Sequence, residues 1–413
     1  MLLQLEGAVA EGARHVERPV AELEAAIPEG DHDFRFRHDL AVEVGDALVG
    51  ECGFGGGGHR RHLLAMDRTT VGIAGMRCKQ DAGRRRRTGP ALARDPTPDA
   101  AAYRRNEDPM PTAPYMYLDG SIVPYADAKV HAFSGVVKYG CGVFEGLRAY
   151  RSASGNLLLF RLAEHIDRLR FGMKAMRYER ILPHDEIEEA VVSMLRANDL
   201  REDTHVRVIA YLGGDDPLHQ TGPVGLIAGA LPRPSRGVGG GLHATVSSWR
   251  RIADSALPPR VKCTGNYVNN RTAEIEAVQD GYDAVLMMTA DGKLAEGSGA
   301  CLVLVRDGRL VTPDVGSDIL EGITRDTILR LGADITDRPV AERRVDRTEL
   351  FAAEEAFLCG SGQEVTPILS VDRLPVGSGE PGPVTLALQE RYFAIVRGEI
   401  PEYAAWLTPV WED

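Results

Sequence analysis

Residues 260–274 read RVKCTGNYVNNRTAE, and the one lysine in that stretch, Lys262, organises the reading of the whole chain. Of the 48 lysines and arginines only six are lysine: Lys79, Lys129, Lys138, Lys174, Lys262 and Lys293. Arginine serves wherever a plain positive charge suffices, but its guanidinium stays protonated and cannot form a Schiff base. A lysine amine attacks a carbonyl only when neutral, which calls for burial or a cationic neighbour. Val261 and Arg260 flank Lys262 and are compatible with that. Taken alone, Lys262 reads either as a nucleophile or as one more solvated cation.

Working outward, HATVSSW (His243–Trp249) before the lysine has strand composition, and NRTAEIEAVQDG (Asn270–Gly281) after it is helical. Lys262 therefore sits on a loop between a strand and a helix, behind Pro258-Pro259 and ahead of Gly265 and Tyr267. Further along, AVLMMTADGKLAEG (Ala284–Gly297) and CLVLVRDGRLVTP (Cys301–Pro313) are hairpins with Asp-Gly turns. TRDTILRLG (Thr324–Gly332) is a helix, AFLCG (Ala356–Gly360) a strand and TLALQERYFAIVRGE (Thr385–Glu399) a closing helix. Upstream, YMYLDGSIVPY and LRAYRSASGNLLLF read as hairpins, LAEHIDRLRFGMKAM and HDEIEEAVVSMLRANDL as amphipathic helices, and HVRVIAYLG and VGLIAGAL as strands.

The segmentation is α+β. Residues 1–109 carry the run GFGGGGHRRH (Gly53–His62), four arginines at Arg84–Arg87 and a Pro/Ala-rich stretch. They are expected to be a mostly disordered, dispensable leader, with Met110 a candidate start of the functional chain. The glycine run lacks a following Gly-Lys-Ser/Thr and is a poor phosphate loop. Residues 110–231 are expected to form a small α+β domain, 232–241 (PRPSRGVGGG) an interdomain linker, and 242–413 a larger domain.

Composition limits the function. A net charge of −12 argues against a nucleic-acid partner, which wants a basic face. No apolar run approaches the roughly 20 residues of a membrane span, and MLLQLEGAVAEGARH lacks the basic start and apolar core of a signal peptide. Cys52, Cys78, Cys141, Cys263, Cys301 and Cys359 are scattered singly, without metal-ligand spacing, as expected of reduced thiols in a cytoplasmic protein that binds no metal.

Four further features carry chemistry. Glu296 lies in the glycine-flanked turn KLAEGSG, where it is either a solvated turn residue or a carboxylate aimed at a ring nitrogen. Thr324 is expected to cap the helix that follows Gly322 and Ile323, and free amides at such a start make an anion site. Gly360-Ser361-Gly362 forms a turn at a strand end, and Arg168 is placed on a helix for a bidentate phosphate contact.

In this order the motifs resemble one family. YLDGSIVPYADAKVHAFSGVVKYGCGVFEGLRAY, FRLAEHIDRL, VSSW, KCTGNY, AEGSG, ILEGITRDTI, GQEVTPI and GPVT together resemble the branched-chain amino-acid aminotransferases, class IV aminotransferases of the fold-type IV group. The resemblance implies pyridoxal 5'-phosphate (PLP) as cofactor. It also implies a small N-terminal α+β domain, a larger β-barrel-like α/β domain and a homodimer. It makes Lys262 similar to the Schiff-base lysine, Tyr267 to the partner of the cofactor's phenolic oxygen and Glu296 to the partner of its ring nitrogen. Arg168, Ile323, Thr324 and Ser361 match phosphate-binding positions. Tyr139, Phe144, Gly146, His205 and Arg207 match substrate-pocket positions, and Ser361 and Gly362 the element that takes the substrate carboxylate. The activity implied is transfer of an amino group between branched-chain or related hydrophobic L-amino acids and 2-oxoglutarate, as in branched-chain amino-acid biosynthesis. A fold-type IV lyase of the aminodeoxychorismate type or a D-amino-acid aminotransferase is the alternative, and a non-catalytic binding protein is disfavoured by the intact lysine set.

The chain departs from the family pattern at three places: His205 stands for a usual tyrosine, EGSGAC for EGxGEN, and Gly360-Ser361-Gly362 for Gly-Thr-Ala. All three fall on or near the substrate side. His205, with a charge able to change near neutral pH, is expected to reshape donor preference.

Overall fold

The computed structural model describes residues 40–44, 47–51, 62–64, 112–215 and 217–412. The expected disordered leader lies outside the described residues except for three short strands. These are β1 (Leu40–Val44), β2 (Ala47–Glu51) and β3 (His62–Leu64), which pair as one antiparallel sheet. The helix expected near Val20–Ile27 also lies outside the described residues.

From residue 112 onward the chain builds two sheets. The first uses β4 (Tyr115–Leu118), β5 (Ser121–Pro124), β6 (Val143–Arg151), β7 (Leu157–Phe160), β8 (Thr204–Leu212) and β9 (Val224–Pro232). A short helix, α1 (Gly135–Tyr139), precedes β6, and α2 (Leu162–Ala175) and α3 (His184–Ala197) lie between β7 and β8. Alternation along β6 and β8 explains the layering. Val143, Leu147 and Ala149 with Val206, Val208 and Ala210 join Ile166, Leu169, Ile187 and Val191 of the helices in one buried core. Phe144, Gly146, His205 and Arg207 project from the opposite face.

The second sheet closes. Its strands are β10 (Leu242–Arg250), β11 (Ala284–Met288), β12 (Leu294–Gly297), β13 (Cys301–Arg306), β14 (Arg309–Thr312), β15 (Ala341–Glu342), β16 (Glu355–Gly360), β17 (Glu364–Val371) and β18 (Leu374–Pro375). The path β12-β11-β10-β17-β16-β13 returns to its start through the β12–β13 pairing, so these six strands form a barrel. Leu286, Leu302, Leu304, Leu358 and Ile368 fill its interior. Three helices cover its outside: α4 (Tyr267–Gln279), α5 (Ile323–Thr336) and α6 (Pro383–Val396). Several elements escaped the periodicity reading. Among them, β17 has buried residues along nearly its whole length rather than an alternating pattern, and the short β19 (Leu407–Pro409) pairs with β7.

That last pairing qualifies the expected boundary at residue 242, because the end of the chain returns to the first sheet. Tyr150 and Phe160 of the first sheet pack with Tyr392 and Phe393 of α6 in one buried cluster. Tyr150 Oη donates to Glu364 at 2.9 Å. The residues on either side of the connector 232–241 thus share a core. Among the described residues no helix is long and apolar enough to cross a membrane, and no His/Cys/Asp/Glu cluster is arranged to hold a metal ion.

Candidate active site

The lysine loop is fixed by backbone rather than by its own secondary structure. The Phe144 amide donates to the Lys262 carbonyl at 2.9 Å, the Thr264 amide to Gly142 at 2.8 Å and the Gly265 amide to Gly140 at 2.7 Å. Glycine is required at both ends of this seam. Gly140 has φ +62°, and a Cβ on Gly265 would lie 3.0 Å from the Gly140 carbonyl oxygen. Asn266, 2% exposed, donates to the carbonyls of Pro258 and Val261, both at 2.9 Å. The loop is therefore stapled to the start of β6, and Lys262 Nζ emerges beside the ring of Phe144 at 4.8 Å. It donates to Tyr267 Oη at 2.5 Å, and Phe144 and Tyr267 meet edge to face at 4.8 Å.

Glu296 is not the solvated turn residue allowed by its sequence context. It is 4% exposed and accepts from Arg251 Nε at 2.8 Å and from the Leu320 amide at 3.2 Å. Burial pushes its carboxyl upward, and Arg251 opposes that shift without cancelling it. Arg251 was not anticipated from sequence. It follows β10 directly, is itself buried, and also donates to Asn270 at 3.1 Å. The signal was the VSSWRR run, in which an arginine closes an apolar strand just ahead of the lysine loop.

Arg168 is aimed from α2 by a residue that sequence reading passed over. Glu145 lies between the two flagged residues Phe144 and Gly146, but on the helix-facing side of β6. Its carboxylate, 1% exposed, grips Arg168 through Nε at 2.7 Å and Nη2 at 2.8 Å and pairs with His165 Nδ1 at 2.8 Å. Arg168 Nη1 also donates to the Glu321 carbonyl at 2.9 Å. Burial would raise the Glu145 carboxyl, but Arg168 and His165 outweigh it and hold the group well below the usual carboxylate range. Its folded value lies below its unfolded value, so its stabilisation is complete above about pH 4.5 and is withdrawn as acid protonates it. Glu145→Gln is therefore expected to cost about 3–5 kcal/mol at pH 7, read by denaturant unfolding, with the gap to wild type narrowing below pH ~4.5. A gap of the same size at pH 3 would show that the carboxylate charge contributes nothing.

Helix α5 is capped two residues earlier than expected. Gly322, not Thr324, is the N-cap, with φ −74° and ψ 132°. A Cβ at position 322 would come within 2.8 Å of Cys301 Sγ, so the close contact admits only glycine. Ile323 and Thr324 occupy the first turn, where amides have no intrahelical acceptor. They are buried and line the same cavity as Arg168, Lys262 and Glu296, whose volume is about 310 Å³. Ser361 and Gly362, from the turn between β16 and β17, line it too, as do Phe144, Gly146, His205 and Arg207.

Two predicted residues behave otherwise. Tyr139 ends α1, is 42% exposed and does not line this cavity. His205 does not titrate near neutrality. Burial, reinforced by Arg207, Arg148, Arg233 and Lys262, drives its pKa down to about 3, so it is a neutral imidazole. Its ring lies over Gly146, where a Cβ would be 3.1 Å from both Cε1 and Nε2. The connector also contributes, since Arg233 and Arg236 line the cavity. Proline and glycine content marked this stretch as a spacer and hid that role.

An amine on a stapled loop, a buried carboxylate, a helix start and an arginine thus meet in one cavity beside a β-barrel, the constellation of an enzyme that anchors a phosphorylated aldehyde cofactor. The amino-transferase class IV family matches residues 142–371. The branched-chain-amino-acid aminotransferase of Salmonella typhimurium is 36% identical over 306 residues, covering 72% of this chain and 98% of that protein. Among solved structures, the branched-chain aminotransferase of Thermoproteus uzoniensis with norvaline superposes with a TM-score of 0.69 at 38% identity, over 73% of this chain and all of that one. The branched-chain amino acid aminotransferase of Thermobaculum terrenum in its PLP form gives 0.68 at 39%, over 73% and 99%. The chain belongs to the class IV aminotransferases.

Proposed function

We propose that this chain is a PLP-dependent aminotransferase that moves an amino group between branched-chain amino acids and 2-oxoglutarate. The observation that carries the reading is the convergence of Lys262, Tyr267, Glu296, Arg168 and the start of α5 on one cavity. The residues present fit the cofactor. Arg168 and the amides of Ile323 and Thr324, with Ser361, would hold its phosphate. Tyr267 would meet its phenolic oxygen and Glu296 its ring nitrogen. When bound, PLP supplies an aldehyde that condenses with amines and a ring that accepts the electron pair left at the substrate α-carbon.

The protein's own part is positioning and proton handling. Glu296, held in place by the Arg251 hydrogen bond, would hold a proton on the ring nitrogen. Lys262 Nζ, hydrogen-bonded to Tyr267, would anchor the cofactor covalently and, once displaced by substrate, carry the α-proton. Glu145 would keep the Arg168 guanidinium facing the phosphate. Phe144 and Tyr267 would shield the amine from water. The turn amides at Ser361 and Gly362 would receive the substrate carboxylate, and Arg207 the distal carboxylate of 2-oxoglutarate.

A homodimer accords with the exposed apolar residues on and beside α1, Phe133 at 59% and Val137 at 55%. Tyr139 on the same helix would then serve a neighbouring copy. A cytoplasmic location accords with the free Cys141, Cys263, Cys301 and Cys359. The test is a screen of amino donors with 2-oxoglutarate, reading glutamate formed. Leucine, isoleucine and valine should give glutamate. Pyruvate released without any oxo-acid acceptor would instead point to a lyase, and turnover confined to D-amino acids to the other alternative.

A further inference from the structure

The start of α5 is gripped by a side chain that belongs to the first sheet. Arg161 is the N-cap of α2, with φ +53° and ψ 43°, a left-handed backbone that a residue with a side chain keeps only where its surroundings hold it. Its amide donates to the Trp406 carbonyl at 2.6 Å, and its guanidinium lies over the Trp406 ring at 4.9 Å. So held, the guanidinium crosses to α5. Nη1 reaches the Ile323 carbonyl at 3.1 Å, Asp326 Oδ2 at 2.6 Å and Thr327 Oγ1 at 3.1 Å, while Nε pairs with Glu164 at 2.7 Å. Arg161 is 4% exposed and does not line the cavity.

Arg168 follows about two turns along α2 and donates to the Glu321 carbonyl, just ahead of the α5 N-cap. The two arginines of α2 therefore bracket the start of α5. Arg168 holds the residue before the cap, and Arg161 holds the first turn itself. A phosphate between Arg168 and the amides of Ile323 and Thr324 would be shared by helices packed on different sheets. Amides and a guanidinium bind one anion strongly only when aimed at the same point. Arg161 and Ile323 stand 162 residues apart in sequence, so local structure cannot set that spacing. We propose that Arg161 is a positioning residue for the cofactor phosphate. It acts without touching the ligand, by fixing the distance between Arg168 and the first turn of α5. This rests on the PLP reading of the cavity.

The test uses the full chain stripped of cofactor, with the melting temperature of each variant recorded. PLP and pyridoxal, which lacks the phosphate, are titrated by absorbance, and inorganic phosphate by calorimetry. Wild type should bind PLP about 100-fold or more tighter than pyridoxal. Arg161→Met keeps an apolar stem against Trp406, and the acids it releases, Glu164 and Asp326, have side chains 38% and 42% exposed that water can solvate. It should bind PLP and phosphate about tenfold or more weakly, with pyridoxal unchanged within about twofold. Arg161→Lys keeps the charge, but a compact ammonium cannot span the same acceptors, so PLP should weaken about fivefold or more there too. Equal weakening of PLP and pyridoxal would make Arg161 a general support of the fold and overturn the proposal. A lysine variant equal to wild type would overturn it as well, because charge alone would then account for the methionine loss. If Arg161→Met does not fold, the lysine variant decides between the same outcomes. If wild type itself binds PLP no tighter than pyridoxal, the PLP reading of the cavity fails and this proposal with it.

Discussion

Lys262→Arg is expected to abolish amino transfer, with a loss of more than about 1,000-fold in kcat. The substitution keeps a cation on the loop, leaves the seam to Gly140, Gly142 and Phe144 in place because those bonds are made by backbone and Thr264, and removes only the nucleophilic amine. A guanidinium can neither bond to the cofactor aldehyde nor carry the α-proton at neutral pH. Lys262→Ala should lose activity equally, and both variants should unfold close to wild type. Turnover within about tenfold of wild type in the arginine variant would remove Lys262 from the chemistry.

Glu296→Gln should follow with a fall of about 10- to 100-fold in kcat, the rate equivalent of a charge-assisted hydrogen bond worth about 1.5–3 kcal/mol. An amide cannot keep a ring nitrogen protonated. The substitution also leaves Arg251, 4% exposed, without its carboxylate partner, so the melting temperature should drop as well. The two effects separate on pairing Glu296→Gln with Arg251→Met. Removing the stranded charge should recover stability while the rate stays low. If the rate returned along with stability, Glu296 would be a structural partner of Arg251 and nothing more.

Local elements and motifs were legible for a plain reason. The α2 and α3 helices each bury one face, so their periodicity is written along the chain, and the β6–β9 strands are apolar runs rich in Val, Leu, Ile and Tyr, buried over most of their length. The lysine loop was legible because lysine is scarce and Gly265 and Tyr267 stand at fixed spacing from it. The N-cap at Gly322 was misread as Thr324, since a threonine ahead of an apolar helix is the commoner cap; contact with Cys301 decided otherwise. Glu145 and Arg251 were missed because a buried carboxylate and a buried arginine look like surface residues until each is given its partner. In sequence, Glu145 stands 23 positions from Arg168, and Arg251 stands 45 from Glu296.

The sequence by itself determined the α+β composition, the order of strands and helices, the family, and the set of groups able to anchor PLP. These depend on local periodicity and on short motifs whose spacing the backbone fixes. Tertiary structure alone decided the rest. It closed β12 onto β13 to make a barrel, returned β19 to the first sheet, turned His205 into a neutral buried imidazole, and brought the connector arginines to the wall of the cavity. Each of these depends on groups far apart along the chain entering one low-dielectric space, where the partner found there, and not the residue type, sets charge state and role.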